Sequence, residues 1–202
     1  MINNETILAL SPHTDDAELA CGATLAKFIE EGKNVTLLVF SAPTKKLYNE
    51  CTQSFNILNK EETSTLKILD YERRSFPEHR QKILQTLYNL NEKQKPDLIL
   101  TPCTRDRHQD HQTVTQEALR VFKTSTILGY ELPWNIWEFM ENGYSEITRC
   151  HLNTKLDSLA QYESQNNKHY FDPVYVESLA VTRGGQIGVK YAEAFEVIRV
   201  IL

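Results

Sequence analysis

Short apolar runs alternate with segments of helical periodicity along most of this chain. We interpret as strands the apolar runs at residues 6–10, 35–40, 65–69, 97–101 and 126–132. Between these runs, apolar residues recur every three or four positions, as at Leu19, Ala23, Ala26 and Ile29, which is typical of a helix with one buried face. Repeated strand–helix units predict an α/β fold in which helices cover both faces of a parallel sheet.

The succession of these elements favours one architecture. We predict helices at residues 17–31, 48–58, 83–90, 111–121 and 152–164, and a last strand at 195–202. The stretch 174–181 is ambiguous, and Arg183-Gly184-Gly185 is interpreted as a turn. The pattern predicts a Rossmann-like, doubly wound, mostly parallel sheet with the strand order 3-2-1-4-5. A chain of 202 residues has the length of one domain, so we expect residues 1–202 to form a single domain.

Charge and composition narrow the classes of function. The chain carries 22 basic and 27 acidic side chains, and its net charge of -5 argues against broad binding of nucleic acid or anionic membranes. The apolar runs are far shorter than the roughly 20 residues that a membrane-spanning helix needs. The amino-terminal residues lack the basic start and long apolar core of a secretory signal, so we expect a cytoplasmic protein. The 4 cysteines form no paired metal-binding or redox motif.

Two polar clusters follow the first and the fourth predicted strands. The first cluster is His13-Thr14-Asp15-Asp16, and the second is Asp106-Arg107-His108-Gln109-Asp110-His111. In the predicted order, strands one and four are neighbours, and their carboxyl ends border the crevice in which doubly wound sheets bind ligands. We therefore expect the two clusters to face each other across one pocket, although they lie far apart in the sequence.

The residue types in the clusters indicate a divalent metal with an open coordination position. His13 and Asp16 lie three positions apart at the start of a predicted helix, so their side chains can converge. Together with His111 they form a set of three nitrogen and oxygen ligands, which leaves a fourth position for water or substrate. Zn²⁺ suits such a set, and Fe²⁺ is an alternative. The pattern therefore predicts metal-dependent hydrolysis.

Three further residues of the clusters are candidates for catalytic or positioning roles beside the metal. Asp15, which is adjacent to the ligand Asp16, is expected to take a proton from the activated water as general base. His108 is expected to stabilise the oxyanion or to protonate the leaving amine. Asp110 is placed to orient a histidine ligand.

Other interpretations of the same residues stay open. Acidic residues are favoured in the first turn of any helix, so the first cluster alone is compatible with a simple helix cap. A metal-dependent phosphoester hydrolase is an alternative function, with Arg105 and Arg107 as the basic residues close to the ligands. A non-catalytic, metal-containing sugar or nucleotide sensor is another. A dinucleotide site is disfavoured because the turn SPHTDDAE presents carboxylates where such sites present glycines.

At these residues the chain resembles the LmbE-like, or PIG-L-type, metal-dependent N-deacetylases, which act largely on N-acetylglucosaminyl conjugates. The two family signatures correspond to PHTDDAELACGATLA, with threonine in place of the usual proline, and to DRHQDH. The resemblance extends to KLDSLAQYESQ and RGGQIGVKYAEAFEV. It implies His13, Asp16 and His111 as metal ligands, and it implies Asp15 as general base and His108 as oxyanion stabiliser or acid. A zinc-dependent enzyme that removes an N-acetyl group from a small-molecule amino-sugar conjugate is thereby implied, and family members often form oligomers.

Two residues outside the clusters are candidates for substrate binding. Arg183 lies in the arginine–glycine segment that the resemblance covers and is predicted to meet the polar end of the substrate, with a turn-stabilising surface arginine as the alternative. Trp134, in ELPWNIWEF, is a candidate to stack on a sugar face, with a core or interface aromatic residue as the alternative.

Overall fold

The computed structural model describes residues 5–60 and 62–201, and a single sheet runs through this part of the chain. Its strands are β1 (Thr6–His13), β2 (Asn34–Ser41), β3 (Thr65–Ile68), β4 (Leu98–Pro102), β5 (Thr126–Tyr130), β6 (Gly143–Glu146) and β7 (Ala192–Arg199). They are arranged in the order β3-β2-β1-β4-β5-β7-β6. The first five strands are parallel, whereas β7 is antiparallel to both β5 and β6. The predicted doubly wound, mostly parallel sheet with the order 3-2-1-4-5 is confirmed.

Helices cover both faces of the sheet. The α-helices of the described residues are α1 (Asp16–Glu30), α2 (Lys45–Leu58), α3 (Arg80–Gln94), α4 (Gln109–Val121), α5 (Arg149–Leu159) and α6 (Pro173–Ile187). On one face, α5 packs against α1 and α2, and on the other face α3 packs against α4. No helix within residues 5–60 and 62–201 has both the length and the apolar character that crossing a membrane requires.

The central strands are buried on both faces. In β1, Ile7 and Ala9 belong to the core beneath α1 and α5, whereas Leu8 and Leu10 belong to the core beneath α3 and α4. All four side chains are fully buried. A strand with helices on both faces has no side for polar residues, which explains why the run is apolar throughout rather than alternating.

The glycine-rich segment near the carboxyl end differs from the prediction. Arg183, Gly184 and Gly185 lie inside α6, so the predicted turn is wrong. The helix ends at Ile187 and is capped by Gly188, whose φ of +76° is the left-handed conformation that glycine adopts readily at a helix end. Gly184 instead permits close packing, because a Cβ at this position would lie 2.8 Å from the backbone of Lys190.

The far edge of the sheet also departs from the sequence pattern. The last strand, β7, covers Ala192–Arg199 rather than residues 195–202, and the ambiguous stretch 174–181 is part of α6. The predicted helix at 152–164 ends at Leu159. The strand β6 has only 4 residues, all partly or fully exposed, so it lacks the apolar run that reveals the central strands.

Candidate functional site

The two polar clusters meet at the carboxyl ends of β1 and β4, which pair in parallel. β1 ends at His13, and α1 begins at Asp16. The loop after β4 leads to α4, which begins at Gln109. The ring centres of His13 and His111 lie 5.1 Å apart. The structure therefore brings the two clusters together at the position where a doubly wound sheet binds its ligands.

Three donor atoms from these clusters converge on one point. Nδ1 of His13 lies 3.0 Å from Oδ2 of Asp16, and Nε2 of His111 lies 3.2 Å from the same oxygen. The two ring nitrogens are 3.2 Å apart. All three side chains are buried. Ligand atoms at about 2.0 Å from a tetrahedral zinc ion are separated by about 3.3 Å, so the three atoms have nearly the spacing that such an ion requires.

The other nitrogen of each ring is held by a carboxylate. Nε2 of His13 lies 3.0 Å from Oδ2 of Asp110, and Nδ1 of His111 lies 2.7 Å from Oδ2 of Asp106. An ionised carboxylate only accepts hydrogen bonds, so each ring carries a proton on this outer nitrogen. In the neutral rings, the inner lone pairs then point toward Asp16. Three electron-rich atoms thus face one another, and a proton or a metal cation must lie between them.

Asp110 is itself fixed by the backbone. Its Oδ2 accepts the N–H of Arg74 at 2.6 Å, and its Oδ1 accepts the N–H of Phe76 at 3.2 Å. Burial opposes ionisation of Asp110, but the hydrogen bonds from His13 and from the two backbone N–H groups outweigh burial and lower its pKa. The side chain therefore stays a carboxylate and holds the His13 ring in one orientation.

The electrostatics of the three donors favour a positive charge at their meeting point. Burial alone would lower the pKa of His111, yet Asp16 and Asp106 raise it to about 10. Burial alone would raise the pKa of Asp16, yet His111 and His13 hold it well below its usual range. A proton or a divalent cation can provide the charge that these carboxylates stabilise.

His108 caps the start of α4 and faces the same site. Its Nδ1 accepts the backbone N–H of Asp110 at 3.2 Å, which leaves the proton of the neutral ring on Nε2. Burial lowers the pKa of His108 to about 4, so the ring is neutral at pH 7. Its ligand atoms lie within 4.8 Å of those of His13 and His111, so these three histidines form a second set that could hold a metal. In the tautomer that the hydrogen bond indicates, His108 offers an N–H to a substrate oxygen rather than a positive charge.

Asp15 is partly exposed at the start of α1 and makes no side-chain capping hydrogen bond. It lines the same cleft as His13 and His108. Burial and the charge of Asp16 raise the pKa of Asp15 to about 6. A carboxylate with this pKa is suited to exchange protons near neutral pH.

An open cleft extends from the metal-ligand candidates and combines polar and aromatic side chains. Its walls include Arg73, Trp134, Asn135, Gln165, Lys168 and Tyr170. Trp134 therefore lines the cleft, and its stacking on a sugar stays a prediction. Its indole ring stacks on Tyr170, with 3.9 Å between ring centres and 11° between planes. The stack covers one face of each ring, so the outer faces and the edges of the pair remain for contact with a ligand in the cleft.

Arg183 does not line this cleft. It projects from α6, and its Nε donates to Oε2 of Glu131 at 2.9 Å while its Nη1 donates to Oε1 of Glu141 at 3.1 Å. The side chain is only 12% exposed. The structure thus places Arg183 outside the cleft with its charge paired within the protein, and a contact with the substrate stays a prediction.

The sequence alone does not reveal the part that several residues take in the site. Asp106 lies inside the second cluster, but only its contact with His111 reveals what it does. Gln165, Lys168 and Tyr170 reach the cleft from the segment after α5, where the sequence shows no periodic pattern. For Gln165 the signal is the family-like segment KLDSLAQYESQ, which ends at this residue.

Comparison with known proteins identifies a family to which this chain is similar. The PIG-L family, described as GlcNAc-PI de-N-acetylase, matches residues 8–122, which is more than half of the chain and includes both clusters. The chain is 28% identical over 172 residues to the uncharacterized deacetylase YaiS of Escherichia coli (strain K12), a match that covers 78% of this chain and 90% of that protein.

Solved structures share the fold over nearly the whole chain. The conserved protein TT1542 from Thermus thermophilus superposes with a TM-score of 0.79 at 22% identity, covering 99% of this chain and 97% of that one. The N,N'-diacetylchitobiose deacetylase from Pyrococcus horikoshii superposes with a TM-score of 0.72 at 18% identity, covering 97% of this chain and 84% of that one. These likenesses concern the fold, whereas the family match spans the residues that build the site. The chain therefore belongs to the PIG-L, or LmbE-like, family of deacetylases.

Proposed function

We propose that this protein is a zinc-dependent N-deacetylase that removes the acetyl group from a small-molecule amino-sugar conjugate of the N-acetylglucosaminyl type. The observation that carries the proposal is the convergence of His13, Asp16 and His111, whose donor atoms lie 3.0 to 3.2 Å apart. A zinc ion held there supplies a Lewis acid that polarises an amide carbonyl and lowers the pKa of water to about 7. Fe²⁺ is the alternative metal for the same ligands.

The remaining residues of the site have distinct tasks in this reaction. Asp15 takes a proton from the attacking water and passes it to the departing nitrogen. A carbon–oxygen bond forms as the amide carbon–nitrogen bond breaks, so the products are acetate and a free amine. His108 donates its Nε2 hydrogen to the carbonyl oxygen, which becomes negative as water adds. Asp110 and Asp106 are positioning residues for the two histidine ligands.

The lining of the cleft supports a sugar as substrate. An outer face of the stacked Trp134–Tyr170 pair is an apolar surface of the kind on which sugar rings stack, and the amides of Asn135 and Gln165 can bond hydroxyl groups. The structurally similar deacetylase from Pyrococcus horikoshii carries an N-acetylated sugar, N,N'-diacetylchitobiose, in its name. We therefore expect an N-acetylated sugar ring to occupy this cleft.

Acetate release from N-acetylglucosamine and N,N'-diacetylchitobiose, with bound metal quantified in the same sample, tests the proposal. Asp15→Asn should lower kcat by about 10²–10⁴-fold with the metal retained, as expected for loss of a general base. His111→Ala should lose both metal and activity. Asp157→Asn changes an exposed carboxylate on α5 and is the matched control that should alter neither quantity. Loss of metal in Asp15→Asn would make Asp15 a ligand instead, and zinc-loaded protein that releases no acetate would refute the proposal.

The two arginines that the sequence offers to a phosphoester hydrolase are engaged outside the cleft, which leaves Arg73 and Lys168 as the arginine and lysine side chains of its wall. Arg105 pairs with Glu138, and Arg107 donates to the backbone carbonyl oxygens of Trp134 and Asn135. Neither arginine lines the cleft. Release of phosphate rather than acetate from a mixed substrate panel would favour this alternative, and sugar binding without turnover would favour a sensor.

A further inference from the structure

We propose that Gln165 is a substrate-binding residue that recognises a hydroxyl group of the sugar, an inference that rests on the proposed deacetylase function. Gln165 ends the segment KLDSLAQYESQ, to which the mechanism assigns no catalytic task. It lies in the short helical turn Glu163–Gln165 after α5. Its side chain lines the same cleft as Asp15 and His108.

The segment that carries Gln165 is fastened to the catalytic turn. Tyr162 is fully buried, and its hydroxyl group contacts the carbonyl oxygen of Thr14 and, at 2.8 Å, Oε1 of Glu18. Thr14 directly precedes Asp15 in the turn between β1 and α1. The position of Gln165 is therefore fixed relative to the candidate general base.

A relay of hydrogen bonds orients the Gln165 amide. The buried carboxylate of Glu50 accepts the backbone N–H of Ser164 at 2.9 Å and the Ser164 hydroxyl at 2.5 Å. Because this hydroxyl gives its proton to Glu50, its oxygen can only accept from Gln165, whose Nε2 lies 2.8 Å away. Within the described residues, Oε1 of Gln165 receives no hydrogen bond, so this acceptor and a second N–H of the cleft-lining residue are available to a ligand.

The chemistry of this amide matches a hydroxyl group. A hydroxyl both donates and accepts, and the fixed amide of Gln165 offers one acceptor and one donor without charge. Loss of either partner of such a hydrogen bond leaves the other unpaired and weakens binding. Gln165 is therefore assigned to recognition of a ring hydroxyl, whereas Asp15 and His108 act on the amide.

The first test compares the wild-type protein with Gln165→Leu and the matched control Gln161→Leu, using N-acetylglucosamine as substrate. Gln161 lies in the same segment, but its amide donates to the carbonyl oxygen of Asp157 and it is not part of the cleft lining. Gln165→Leu should raise KM about tenfold, the effect of one lost hydrogen bond, with kcat and metal content close to wild type. Gln161→Leu should change none of these. An unchanged KM in Gln165→Leu overturns the inference.

Deoxy sugars sharpen the test. The 3-deoxy, 4-deoxy and 6-deoxy analogues of N-acetylglucosamine each lack one hydroxyl group. With wild-type protein, the analogue that lacks the recognised hydroxyl should have a kcat/KM about as low as that of N-acetylglucosamine with Gln165→Leu. With Gln165→Leu, the kcat/KM of that analogue should fall no further, because the analogue and the variant remove the same contact. If every analogue loses the same factor with wild type and variant, Gln165 bonds none of these hydroxyl groups and the inference fails.

Failure of the proposed function is distinguishable from failure of this inference. If zinc-loaded wild-type protein releases no acetate, equilibrium binding of N-acetylglucosamine to the same three proteins takes the place of kinetics. Weaker binding to Gln165→Leu than to Gln161→Leu and wild type supports the role of Gln165. Equal binding by all three proteins, or no binding to the wild type, overturns it.

Discussion

Replacing Glu193 with alanine should remove a large part of the margin of stability, because this residue supports a break in α1. At Cys21 the backbone leaves the helical conformation, with φ of −137° and ψ of 26°. The carboxylate of Glu193, which comes from β7, accepts the backbone N–H of Ala23 at 3.2 Å and that of Thr24 at 2.7 Å. A side chain from a distant strand thus acts as the N-cap of the second part of the helix.

The expected magnitude follows from the charge that the substitution leaves behind. Glu193 pairs with Lys155 at 2.6 Å, and the two side chains are only 4% and 5% exposed. Without Glu193, the buried ammonium group keeps the carbonyl oxygen of Ala20 at 3.4 Å as its acceptor. Breaking a buried pair costs about 3–5 kcal/mol, and loss of a helix cap costs about 1 kcal/mol. We therefore expect a loss of about 4–6 kcal/mol, out of the roughly 5–15 kcal/mol that stabilises a typical domain.

Urea unfolding followed by circular dichroism measures this loss. Glu5→Ala removes the more exposed partner of the Lys33–Glu5 surface pair and is the control, with an expected cost of at most about 1 kcal/mol. The double variant Lys155→Met/Glu193→Leu removes both buried charges and should be less destabilised than Glu193→Ala. A Glu193→Ala protein that is as stable as Glu5→Ala would show that the pair and the cap contribute little, and the reasoning would be wrong.

Three further predictions concern the site. Asp106→Asn should weaken zinc affinity about 10–100-fold in competition with a chromophoric chelator, because it loosens His111; unchanged affinity would contradict this positioning role. Tyr162→Phe should cost about 1–3 kcal/mol in urea unfolding, because buried acceptors on Glu18 and the preceding turn lose their donor; a neutral effect would show that other groups replace it. Removal of zinc from protein kept at a metal concentration about 100 times Kd should lower stability by about 2.7 kcal/mol, reversibly, and an unchanged Tm would argue against a resident metal.

The central sheet is predictable because its burial is visible in the sequence. β1 and β2 contain continuous apolar runs at residues 7–10 and 37–40, so a strand buried on both sides is indicated without any distant information. The edge is different, since β6 is short and exposed and its place beside β7 depends on antiparallel contacts between distant residues. The glycines of α6 mislead for a related reason: Gly184 is required by packing against a later segment, which a local turn rule does not consider.

The site is predictable to the extent that it is local. His13 ends β1 and Asp16 begins α1, while His108 and His111 lie at the start of α4, the helix that follows β4. The sheet order alone therefore predicts that the two pairs meet. The supporting contacts are not local. Glu193 reaches α1 from β7, and the relay that orients the cleft amide joins Glu50 to the segment after α5. Single side chains that pair over such separations leave no periodic pattern in the sequence.

The site contains several aspartates at the point where the N-termini of α1 and α4 meet. Both α1 and α4 begin there, so the positive ends of two helix dipoles, each equivalent to about half an elementary charge, point to the same place. Such ends ordinarily attract anions and repel cations. The aspartates around this point are Asp15, Asp16, Asp106 and Asp110. When ionised, these four carboxylates carry several times the charge of the two helix ends. Only Asp16 belongs to the proposed set of metal ligands. At a switch point lined by helix N-termini, a cation is therefore favoured only where carboxylates beyond the ligand itself outweigh the helix dipoles.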